Sequence, residues 1–77
     1  MAVLCANRDE MLKELAGRYQ ESLSNLGVVT ENHLLEIFVS SSGSWTITIS
    51  NVINNVACVI ADGQHWQILP QAVGIPL

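Results

Sequence analysis

After Arg18 the chain has no lysine or arginine at all; Arg8, Lys13 and Arg18 are its only bases, set against seven acids for a net charge of -4. Nucleic-acid recognition rests on several cations neutralising phosphates, so this distribution excludes nucleic acid as a partner class. Anionic membrane surfaces are disfavoured on the same ground. Long apolar runs are missing too, and none approaches the ~20 residues of a spanning helix, so membrane insertion is not expected. Residues 1–4 are too short to be a secretory signal.

Other chemistry is missing as well. Gly43 and Gly63 are isolated turn glycines, not a phosphate cradle. His33, His65, Cys5 and Cys58 have no near partners, whereas structural zinc sites use close pairs; neither a metal nor a cofactor is expected. Cys58 and His65 can be drawn as a dyad with Asp62 or Glu36, but a thiol on a core face is inert. The run Ser40 to Ser44 reads as a loop, not as a nucleophile elbow. No catalytic residue is assigned, and the chain is not expected to be an enzyme.

What is present is aliphatic. Apolar residues make up 49% and charged residues only 13%, against a usual charged share of about 25%. That balance argues for a folded chain. The 77 residues make one domain, 1–77. A chain this short buries only about 60–65% of its unfolded surface, so a staple or a partner is expected.

Residues 7–26 read as a helix. Asn7 is a good N-cap with Glu10 in the capping-box place. Leu12, Leu15, Tyr19, Leu23 and Leu26 then recur at spacings of three and four, and Gly27 is a natural stop. The period next changes to two, predicting strands over about 34–40, 45–53, 56–61 and 65–69, with a tail over 70–77. The fold class is α+β, one N-terminal helix packed on a three- to four-stranded antiparallel β-meander.

A two-residue turn at Asn54-Asn55 would set Ile53 opposite Val56, Asn51 opposite Cys58 and Ile49 opposite Ile60. The core face would then carry Ile47, Ile49, Ile53, Val56, Cys58 and Ile60, leaving Thr46, Thr48 and Ser50 solvated.

For the cysteines the residues alone leave two readings. A bridge between Cys5 and Cys58 would pin the helix start to the sheet and contribute roughly 4 kcal/mol in the chain-entropy model. Otherwise they are unrelated, one buried as a small hydrophobe. Trp45 and Trp66 read either as binding anchors or as caps on the two ends of the core.

Several landmarks recur in order. Cys5 precedes a helix with Leu15-Ala16-Gly17-Arg18-Tyr19-Gln20-Glu21. Glu36-Ile37-Phe38-Val39-Ser40 follows, then Gly43-Ser44-Trp45-Thr46 and Cys58-Val59-Ile60-Ala61-Asp62-Gly63. From residue 5 to about residue 66 this pattern resembles a family of small exported alphaproteobacterial proteins of unassigned activity. The resemblance implies a periplasmic or secreted setting and pairing of Cys5 with Cys58; it implies no catalytic residues.

The reading that results is a small non-enzymatic exported domain, structural or protein-binding. It would take a protein partner or a second copy as a homodimer. The candidate surface is Trp45, Thr46, Thr48, Trp66, Ile75 and Leu77, together with exposed strand edges. Two alternatives stand beside it: a redox or hydrolytic enzyme using a thiol and a histidine, and a small apolar-ligand carrier. For the carrier, a core this small leaves little room for a ~300 Å3 cavity unless two chains build it.

Overall fold

The computed structural model describes residues 4–69; the tail with Ile75 and Leu77 lies outside the described residues. Six elements follow one another: β1 (Leu4–Asn7), α1 (Arg8–Arg18), β2 (Ser22–Thr30), β3 (His33–Val39), β4 (Trp45–Asn51) and β5 (Val56–Gly63). The strands form one antiparallel sheet in the order β1-β5-β4-β3-β2. The class is α+β as expected, but the sheet has five strands. The two extra ones, β1 and β2, are its edges.

The helix starts where the sequence places it. Asn7 Oδ1 accepts the Glu10 amide at 3.2 Å, and Asp9 and Glu10 sit in the positive first turn. It ends at Arg18, two turns earlier than residue 26. Gln20 takes a left-handed conformation (φ 56°) that turns the chain back. The misreading has a physical cause. Leu23 faces Phe38 and Leu26 faces Glu36, so three residues on β2 span two on β3 across a bulge. A bulge inserts one residue into an alternating strand, and the resulting spacing of three imitates a helical face.

The hairpin between β4 and β5 is also corrected. Asn51 Oδ1 accepts the Ile53 amide at 2.9 Å, opening the loop two residues early. Residues 52–55 form the turn, with Asn55 left-handed at φ 58°. Asn51 therefore faces Val56 and Ile49 faces Cys58. No fourth meander strand forms over 65–69; instead β5 runs on to Gly63, and the Trp66 amide bonds to the Gly43 carbonyl at 2.9 Å.

The largest correction concerns the two faces of the sheet. The core is Met11 and Leu15 of α1 against Phe38 and Ala57, with Ala6, Leu12 and Val59 around it. Phe38 faces Thr46 and Glu36 faces Thr48, so the helix covers the Thr/Ser face. Thr46, Thr48 and Ser50 are buried, not solvated. The predicted core face, with Ile47 and Ile49, is the one the helix leaves open.

Burying the polar face is made tolerable by pairing. Glu36, fully buried, receives Arg8 through two nitrogens (Nε to Oε1 at 2.8 Å) and the Ser50 hydroxyl at 2.7 Å. The Arg8 guanidinium bonded to it holds the Glu36 carboxyl below its ordinary pKa, with Ser50 assisting against the opposing effect of burial. Ser40 and Ser44, buried in the next turn, bond each other at 2.7 Å.

Candidate functional site

The open face is built by strand pairing. Leu35, Ile37 and Val39 of β3 stand opposite Ile49, Ile47 and Trp45 of β4. Cys58 and Ala61 of β5 continue the same rows. These side chains are half-buried, by one another and not by any described element above them. Every described ionisable acid or base other than histidine lies elsewhere. Six are on α1, Glu36 and Asp62 share the covered side with Thr48 and Thr46, and Glu21 and Glu31 are in connections.

One end of this face is polar, with His33 opposite Asn51. The other end is aromatic. The Trp45 indole lies directly over Gly63, whose missing Cβ would fall 2.7 Å from its Cζ2, and its Nε1 donates to the Gln64 carbonyl at 3.0 Å. Trp66 meets it with ring centroids 5.7 Å apart. Of the six residues read as an interaction surface, the structure brings Trp45 and Trp66 together. Thr46 and Thr48 are buried on the opposite side.

Cys5 and Cys58 stand directly opposite each other in neighbouring strands and form a disulfide across 53 residues. The bridge ties the first strand to the last. It also occupies both thiols, so neither stands free for a nucleophilic dyad or a metal set. Among the described residues no three His, Cys, Asp or Glu side chains gather as a metal site.

On the helix side there is a groove of about 840 Å3 between α1 and the β1 and β5 end of the sheet. Its apolar lining includes Leu4, Ala6, Met11, Leu15 and Val59. It is open to solvent along one side, a surface groove and not an enclosed cavity. It exists because the helix is short and leaves part of the sheet uncovered.

Glu21 lines this groove, is only 3% exposed, and its Oε1 has no hydrogen-bond partner among the described residues. Sequence reasoning missed it. Read as part of a helix, Glu21 is one more surface acid; the signal available was that no cation follows it anywhere in the chain.

No helix among the described residues is long and apolar enough to cross a membrane. No family model, curated protein or solved structure matches the chain.

Proposed function

We propose that this is an exported, non-enzymatic structural domain that works as a homodimer, two copies meeting through the charge-free face of the sheet. One observation carries the reading: the helix covers the more polar side of the sheet, and the row of Leu35, Ile37, Ile47 and Ile49 has no cover among the described residues. An apolar sheet face is normally packed against a second layer.

The size of the face fits a second copy. Five strands spaced about 4.8 Å, with central strands of seven residues rising about 3.3 Å each, give a face of roughly 500 Å2. Two copies would bury roughly 1,000 Å2 before side-chain relief is counted, which reaches the threshold for a specific interface. Self-repulsion is small, because the net charge of each copy lies on the helix, the covered side and the connections. Aligned sheets at about 10 Å would form a two-layer core with the helices outside.

Export is supported by the Cys5–Cys58 disulfide, since such bridges persist in oxidising compartments. The resemblance to small exported alphaproteobacterial proteins points the same way.

Sedimentation equilibrium of the wild type and of Ile49→Lys is the test. The wild type is expected to be a dimer at micromolar concentration, and Ile49→Lys a folded monomer by circular dichroism. A wild type that stays monomeric at every concentration would refute the reading.

A further inference from the structure

The groove lies on the helix side of the sheet and shares only Trp45 and Ala61, at its rim, with the proposed dimer face. We infer that it binds an extended peptide segment carrying one basic side chain between apolar ones, with Glu21 receiving the cation.

Glu21 is positioned by the end of the helix. The left-handed Gln20 reverses the chain, and the Glu21 amide bonds to the Leu15 carbonyl at 3.0 Å, a carbonyl that also accepts from Tyr19. The backbone of Glu21 is thereby fixed at the C-terminal end of the helix. A buried acceptor with one oxygen unpaired costs stability in the free protein. A cationic donor entering the groove removes that cost.

The surroundings specify the rest of the ligand. Four carboxylates, those of Glu10, Glu14, Glu21 and Asp62, line the groove with a single guanidinium, Arg18. Arg18 is already bonded to Glu14 at 3.1 Å. The field therefore favours a cation and rejects an acidic segment. The apolar lining requires hydrocarbon on the ligand, beside the charge. Leu4 and Ala6 belong to β1, an edge of the sheet. A chain lying there runs beside a strand whose outer edge has no partner strand among the described residues, which favours a peptide over a small amine.

The probe is a blocked pentapeptide with one lysine between two leucines and glycine at each end. Two controls replace the lysine with glutamine or glutamate, and hexylamine serves as the small-amine control. Binding is followed by amide chemical shifts on the oxidised full chain. The lysine peptide is expected to bind about tenfold more tightly than the glutamine peptide and to move the signals of Leu15, Glu21 and Val59. Glu21→Gln, which keeps the size of the side chain and replaces its carboxylate with an amide, is expected to erase the lysine preference. Asp62→Asn on the rim should weaken it only slightly. Equal binding of lysine and glutamate peptides, an undiminished preference in Glu21→Gln, or shifts confined to Ile37, Ile47 and Ile49 would overturn the assignment. Hexylamine binding as tightly as the peptide would overturn its peptide character.

Discussion

Arg8, the first residue of the helix, holds the carboxylate of Glu36 in a two-pronged ion pair 28 residues away, in the middle of the sheet. The pair lies on the side of the sheet that the helix covers, beside the core of Met11, Leu15, Phe38 and Ala57. It ties the helix start to β3 and makes a buried glutamate acceptable among Thr48, Ser50 and Phe38. Removing one partner should therefore cost more than removing both. Arg8→Ala is expected to lose about 2–4 kcal/mol, because it strands a buried charge. The double variant Arg8→Met with Glu36→Leu should recover much of that loss. Urea melts of the wild type, Arg8→Met, Glu36→Leu and the double variant close a double-mutant cycle and measure the coupling.

The same pair sets an acid limb. Glu36 has its folded-state pKa lowered by Arg8, so its contribution is complete above the unfolded value of about 4.3 and is lost as pH falls through the depressed value. Thermal midpoints between about pH 6 and pH 2 should drop steeply at the acid end. In Glu36→Gln that drop should be shallower, from a lower starting stability.

For the disulfide, closing a loop of 53 residues removes roughly 4 kcal/mol of unfolded-state entropy in the chain model. Cys5→Ser with Cys58→Ser should unfold at markedly lower denaturant, with β1 the first element to lose amide protection. Intact-mass alkylation of protein from an oxidising compartment should add no label before reduction and two after it.

At the aromatic end, a methyl group at Gly63 collides with the Trp45 ring. Gly63→Ala is expected to cost about 1–3 kcal/mol and to push the indole away from Trp66. Loss of the near-ultraviolet circular dichroism of the Trp45–Trp66 pair, with a shift in emission, would report it.

Much of this architecture is legible in the residues. The Asn7 cap, the alternation from Leu34 to Val39 and from Trp45 to Asn51, and the class α+β all follow from local chemistry. What misled is equally local. The bulge between Leu23 and Asn25 gave an edge strand the spacing of a helix, and the Asn51 side chain opened its turn early. The choice of face was not legible. Alternation marks one side of a sheet as apolar but does not say which side the chain's own helix takes, and the Arg8–Glu36 pair that joins helix to sheet spans 28 residues. The groove was hidden for the same reason, since it needs a helix that stops at Arg18.

The central claim is that the uncovered face meets its own copy, and its most direct test is an isotope-filtered NOE experiment. Protein labelled at isoleucine methyls is mixed with unlabelled protein, and contacts between the two populations are recorded. The account predicts intermolecular contacts from Ile37, Ile47 and Ile49 to Leu35, Val39 and Trp45, with none from Met11 or Leu15. A sample showing contacts only within one chain, at the mass of a monomer, would contradict it.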